Sequence, residues 1–155
     1  MAAIRKKINK SKIHLGIVAS DFNDFITKRL LNGCLTELHR NGVEDRQITT
    51  VWVPGSFEIP VTAYHLARRK EISAVICLGA VIRGDTYHFE VVANECARGV
   101  MEVSLLTGKP VIMGVLTTDT VAQAQTRASS KGGPNKGRDC ACTALAMIAL
   151  LKNLG

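Results

Sequence analysis

No apolar run in this sequence reaches the roughly 18 residues that a membrane-spanning helix needs, so no span is expected. The opening Met-Ala-Ala-Ile-Arg-Lys-Lys is basic but lacks the apolar stretch of a signal peptide. Cysteine supplies no framework either. The five thiols, at positions 34, 77, 96, 140 and 142, are odd in number, form no CxxC pair and mostly sit inside apolar runs. Reduced, buried thiols in a cytoplasmic protein suit that pattern better than disulfides. Neither a GxGxxG nor a Walker pattern occurs, which removes two common ways of holding nucleotide phosphates. No metal site is indicated, because the histidines are far apart and Cys140 and Cys142 would project from different sides of a helix. Aromatic residues make up only 5% of the chain, so an aromatic ring in a polar loop calls for a reason.

What is present is a balanced composition, 46% hydrophobic and 21% charged, in 155 residues. That length fits one domain, residues 1–155, with one substantial core; residues 1–12 read as an extended N-terminal arm. The net charge of +7 raises the question of nucleic acid. The cations are scattered, however, apart from Lys6, Lys7, Lys10 and Lys12 and the stretch 131–138. Neither group is interleaved with aromatics. A positive field that draws in small anionic substrates accounts for the charge, and neither a nucleic acid nor a membrane is expected as a partner.

Four short apolar runs rich in β-branched residues, Ile13–Ala19, Ile48–Val53, Ala74–Leu78 and Val111–Leu116, alternate with longer helical patterns. Continuous runs of this length predict strands buried on both faces of a parallel sheet. Helices are predicted over about 24–41, 59–70, 88–107, 119–129 and 138–152, with Gly42 and Gly108 as C-terminal caps. The order βαβαβαβα plus one helix predicts a three-layer α/β/α sandwich on a four-stranded parallel sheet. Two helices carry more apolar surface than one sheet face can cover: Phe89–Leu106, and Cys140–Leu151, which is apolar nearly all round. The surplus points to contact with further subunits.

Ligands of an open parallel sheet bind beyond the strands' carboxyl ends, so the loops there are the places to look. After the first run, Phe22 stands in a polar turn. As a hydrophobic staple it would need an apolar partner, but with Asn23 as N-cap that position is Thr27; the alternative is a ring that stacks on a planar ligand. After the second run, Ser56 and Glu58 either cap the following helix or present a hydroxyl and a carboxylate to a polyol. After the third, Gly79 to Glu90 contains a glycine, Gly84, ahead of a helix whose open N–H groups are expected to begin at Asp85 or Thr86. Such a turn is an anion site. His88 lies in that helix's first turn, and an imidazole beside an anion site is a candidate proton shuttle. His14, His39 and His65 fall at a strand start and on helix surfaces, where solvation is the ordinary fate.

Taken together, Val-Pro-Gly-Ser-Phe-Glu-Ile-Pro (53–60), Gly-Ala-Val-Ile-Arg-Gly-Asp-Thr-Tyr-His-Phe-Glu (79–90), Gly-Val-Leu-Thr-Thr (114–118) and Asn-Lys-Gly (135–137) resemble the lumazine synthase family, in order and spacing, from about Ile13 to Leu154. The resemblance implies a flavodoxin-like fold and a cofactor-free condensation of 5-amino-6-(D-ribitylamino)uracil with 3,4-dihydroxy-2-butanone 4-phosphate. It implies that Phe22 stacks on the pyrimidine and that Ser56, Phe57 and Glu58 hold the ribityl chain and ring edge. Ala80, Val81 and Ile82 would supply backbone contacts. Asp85 and Thr86, with Arg127, would hold phosphate, and His88 would move protons. Lys136 and Asp139 match positions near the site.

The resemblance also implies pentamers with sites between neighbours, residue 113 coming from the adjacent subunit, and riboflavin synthase as a possible partner. Position 113 is usually Phe in the family and is Met113 here; a thioether still covers a ring. The segment 129–136 looks one residue longer than the common family loop and contains Pro134. Because that loop sets the angle at which pentamers meet in hollow sixty-subunit shells, a pentamer or stacked decamer is expected instead. The runner-up function is a flavin-binding flavodoxin-like module, which would want a Thr/Ser-rich phosphate loop where this chain has Ser20-Asp21-Phe22-Asn23.

Overall fold

A computed structural model describes residues 10–155. The elements run β1 (Leu15–Ser20), α1 (Asp24–Arg40), β2 (Ile48–Val53), α2 (Ile59–Ala67), β3 (Ala74–Ile82), α3 (His88–Thr107), β4 (Val111–Thr118), α4 (Val121–Arg127) and α5 (Lys136–Leu154). All strand pairings are parallel and the strand order is β2-β1-β3-β4. Of the arm expected over 1–12, residues 1–9 lie outside the described residues, and Lys10–Lys12 make one 3-10 turn.

The runs without alternation arise because each strand feeds two cores. Along β3, Ala74, Ile76, Leu78 and Ala80 pack with α1, α4 and α5 on one face. Val75, Cys77 and Val81 pack with α2 and α3 on the other. Apolar side chains are therefore needed at both parities, and the sheet is the middle of three layers. The predicted caps are present. Gly42 takes φ 80°, with its N–H donating to the His39 carbonyl and that of Val43 to the Leu38 carbonyl, and Gly108 takes φ 65° after α3.

Several boundaries differ from the sequence reading, among them α2, which ends at Ala67 where a helix to about 70 was expected. Residues 79–82 form strand, not loop: β3 pairs with β4 as far as Ile82–Thr118, while its pairing with β1 stops at Leu78. Gly79 is there for space, since a Cβ at that position would run into the Ser20 hydroxyl. α5 starts at Lys136, two residues early, because the buried Asn135 caps it, accepting from the Arg138 N–H at 3.1 Å. α4 is shorter than expected, and Ala128 and Asn135 beyond it join in an isolated antiparallel bridge.

Of the two surplus-apolar helices, α3 carries the larger unpaid surface: Met101, Leu105 and Leu106 are 62%, 76% and 70% exposed. The exposed apolar positions of α5 are Cys142, Ala146, Leu150 and Leu154, two of them small.

Candidate active site at the β1/β3 switch point

The chain goes from β1 outward to β2, then returns to place β3 on β1's other side, so the strand order reverses between β1 and β3. A cleft of about 680 Å³ opens there. This is where an open parallel sheet leaves room for a ligand. Its floor follows from register. Beyond Leu78 one edge of β3 has lost β1 but kept β4, so Ala80, Val81 and Ile82 reach the cleft on a strand supported from one side.

The three expected loops supply the walls. The turn after β1 is tied to the one after β2 by Asp21 N–H to the Val53 carbonyl (2.8 Å) and Phe22 N–H to the Pro54 carbonyl (3.0 Å). Phe22 and Phe57 both line the cleft, 72% and 55% exposed, with no core holding them. Ser56, Phe57 and Glu58 form one 3-10 turn leading into α2. The capping alternative for Ser56 and Glu58 fails, since neither α2 nor the turn before it has a side-chain cap. Ser56 is buried at the cleft wall and Glu58 is exposed there.

On the far side lie Gly84, Thr86 and His88. α3 starts at His88, as its helical pattern predicted, so its open N–H groups come later than the Asp85 or Thr86 expected for them. The Glu90 and Val91 N–H groups already bond to the Tyr87 carbonyl, so the open N–H groups are those of His88 and Phe89. Gly84 takes no left-handed φ, and a Cβ there would meet nothing within 4 Å, so it leaves open space, not backbone freedom. Asp85 lies exposed in the same turn.

Met113, Arg127, Lys136 and Asp139 do not line this cleft. Met113 sits mid-strand on the outer strand β4. Arg127 ends α4, its guanidinium donating to the Gln123 carbonyl at 3.1 Å. Lys136 begins α5 and pairs with Asp139 at 3.2 Å. The Ala128–Asn135 bridge sets Arg127 and Lys136 side by side, one beyond each bridged residue. The protomer thus carries one formed cleft and, elsewhere, a separate corner of cations.

Two residues escaped the sequence reading, Asn23 in the cleft lining and Arg83 beside it. Asn23, read only as an N-cap, is the one described non-glycine residue with positive φ (60°). Its side chain does not cap α1 but donates to the Ala80 carbonyl at 2.9 Å. Asparagine's tolerance of the left-handed region was the available signal. Arg83, just before Gly84, pairs with Glu90 and, at 2.7 Å, with Asp119, and lies over the Phe89 ring at 4.3 Å. Hydrogen bonding to Asp119 and then Glu90 raises the pKa of the Arg83 guanidinium, while its bond to Arg83 holds the Glu90 carboxyl below the usual range. Among the described residues no cluster of three potential metal ligands occurs, and no helix is long and apolar enough to cross a membrane.

A parallel sheet with an aromatic-walled cleft at its switch point and open helix N–H groups at one end defines a flavodoxin-like α/β protein that binds a small planar, anionic molecule. The sequence profile of 6,7-dimethyl-8-ribityllumazine synthase matches residues 12–152. A protein of that name from Protochlamydia amoebophila (strain UWE25) is 49% identical over 154 residues, 99% of this chain and 89% of that one. The chain belongs to the 6,7-dimethyl-8-ribityllumazine synthase family.

Proposed function

We propose that the cleft at the β1/β3 switch point is the substrate-binding part of a 6,7-dimethyl-8-ribityllumazine synthase active site. The chain is a transferase of riboflavin biosynthesis. The amine of 5-amino-6-(D-ribitylamino)uracil combines with 3,4-dihydroxy-2-butanone 4-phosphate, phosphate and water leave, and 6,7-dimethyl-8-ribityllumazine remains.

One observation carries the assignment of the cleft: an exposed phenylalanine, Phe22, lines the same cleft as the half-open edge of β3, together with the buried Ser56 hydroxyl and the exposed Glu58 carboxylate. A flat heterocycle fits between ring and strand, and Ser56, Phe57 and Glu58 face its polyol. Val81 and Ile82 carry the backbone contacts, because the Ala80 carbonyl is already engaged by Asn23. The ketone's phosphate goes to Asp85, Thr86 and the open N–H groups at His88. Condensation needs its partners held together and protons moved, and proximity supplies most of the gain. His88 is the proton carrier.

Arg127 and Met113 complete this site from the adjacent subunit, with Lys136 and Asp139 near it. That none of them lines the protomer's own cleft supports that arrangement, as do the exposed large side chains of α3. The assembly we infer is a cytoplasmic pentamer, alone or stacked as a decamer. Each chain acts as one domain, and riboflavin synthase takes the product. Pro134 in the corner before α5 stiffens the loop where shell neighbours would approach.

Mixing the protein with both substrates and following lumazine absorbance tests the activity, and a rate no faster than the substrates alone overturns it. Light scattering tests the assembly: a mass of five or ten 16.7 kDa chains is expected, and a shell-sized particle contradicts it.

A further inference from the structure

We propose that Arg83 is a positioning residue that clips the phosphate-holding turn 84–87 shut and keeps two neighbouring carboxylates from repelling the phosphate. This rests on the placing of phosphate at that turn. No hydrogen bond from another segment holds Gly84, Asp85 or Thr86, and all three are exposed, so the turn is located only by its two ends. Arg83 holds both. At the near end its N–H donates to the Thr118 carbonyl at 2.9 Å, continuing the β3–β4 ladder. Its guanidinium then reaches over the turn to Glu90 in the first turn of α3 and lies against the Phe89 ring. Its Nε–H donates to the Asp119 carboxylate at 2.7 Å, and the Asp119 backbone N–H donates to Gln123 Oε1 of α4 at 2.9 Å. One planar cation thus joins the end of β3, the start of α3 and the segment leading into α4.

Charge makes the second half of the case. The turn already carries the Asp85 carboxylate, so phosphate meets that residue through its backbone, and Glu90 and Asp119 would be two further uncompensated carboxylates beside it. Arg83 hydrogen-bonds to both, so its positive charge sits directly against the two carboxylates, and the same bonds raise the guanidinium's pKa and lower that of Glu90. The pairs are solvent-exposed, where ion pairs add little to folding stability. Their effect therefore falls on anion affinity, not on the fold.

The test compares the wild-type oligomer with Arg83→Gln, Arg83→Lys and Arg83→Gln/Glu90→Gln. Steady-state kinetics are run on both substrates, with calorimetric titration of inorganic phosphate and a thermal melt. In Arg83→Gln the KM for the phosphorylated ketone and the Kd for inorganic phosphate are expected to rise about tenfold, the scale of one charge-assisted contact. The KM for the uracil and the melting midpoint stay put. Arg83→Lys, which keeps the charge but not the fork, falls between. Removing the Glu90 charge as well recovers part of the phosphate affinity. Phosphate Kd and ketone KM within twofold of wild type overturn the proposal, as does a uniform loss of both substrates' affinity with a lowered melting midpoint. Should the wild type fail to join the two substrates while Arg83→Gln still weakens phosphate binding, the proposed reaction falls and the role of Arg83 stands.

Discussion

The cleft at the switch point and the corner around Arg127 are built on opposite principles. The cleft is fixed by the sheet: its floor is strand, its two loops are stitched by backbone hydrogen bonds, and Asn23 ties one loop to the Ala80 carbonyl. The corner is helix ends and exposed cations, joined by a single bridged pair. One surface is shaped before any partner arrives, and the other offers charge without shape. A planar heterocycle needs shape, because stacking falls off steeply with misplacement. A phosphate needs charge, which acts over several ångströms. The difference teaches that the proposed site is divided by the kind of recognition each part performs.

Breaking the cleft side at its proton carrier should have the largest effect. His88→Ala is expected to slow turnover by on the order of 10²–10⁴, the usual reach of general acid–base catalysis. Turnover stays measurable above the uncatalysed mixture, since proximity survives. Single-turnover rates with both substrates saturating check this; complete loss with both still bound would make His88 indispensable.

On the corner side, Arg127→Ala removes a charge-assisted phosphate contact of about 1.5–3 kcal/mol, so the ketone KM should rise about 10- to 150-fold. The uracil KM should hardly move. Joining the two variants tests the division itself. If each site takes His88 from one chain and Arg127 from the next, co-refolding equal amounts of His88→Ala and Arg127→Ala makes half times half, about a quarter, of the sites intact. Activity no greater than the sum of the separate variants would put both residues in one protomer's site.

A smaller effect is expected from Phe22→Ala, which removes stacking worth about 0.5–1.5 kcal/mol and so weakens the uracil by about 2- to 10-fold. Ketone affinity should be unchanged, the mirror image of Arg127→Ala; a loss of both would mean that the ring shapes the whole cleft.

The smallest effect separates the site from its frame. Burial pushes the Cys34 thiol up to about 12 and those of Cys96 and Cys140 up to about 11, from 9.0. Folding therefore retains their protons where the unfolded chain loses them. Stability is unaffected by these thiols below pH 9.0 and falls as pH rises from there toward the folded values. Denaturant midpoints between neutral and alkaline pH, with Cys34→Ala as the flatter control, measure it. A decline that begins well below pH 9 would point to other groups.

How much could be read without coordinates depended on how far apart the interacting residues lie in the chain. The strands were legible because feeding two cores demands unbroken apolar runs, and the caps because Gly42 and Gly108 act on their own helices. Phe22 stood out as an aromatic in a polar turn, whereas Ser56 and Glu58 fitted a helix cap as well as a ligand contact. Asn23 and Arg83 did not, because their partners Ala80 and Asp119 are 57 and 36 residues away. Gly79 misled for the same reason: what it avoids, the Ser20 hydroxyl, belongs to another strand. The adjacency of Arg127 and Lys136 likewise exists only once Ala128 has met Asn135.

Asn135 has one more consequence. Its buried side chain donates to the Arg29 and Ser129 carbonyls and accepts from Arg138, while Ser129 N–H reaches the Pro134 carbonyl. The neck of the corner loop is thereby fastened to α1 and α5, and whatever lies between 129 and 134 hangs outside that fastening. Chain added at the tip, around the exposed Lys131 and Gly132, must bulge into solvent without tugging on the sheet. The tip is thus a natural port for grafting a peptide epitope, displayed once per chain, away from the cleft at the switch point.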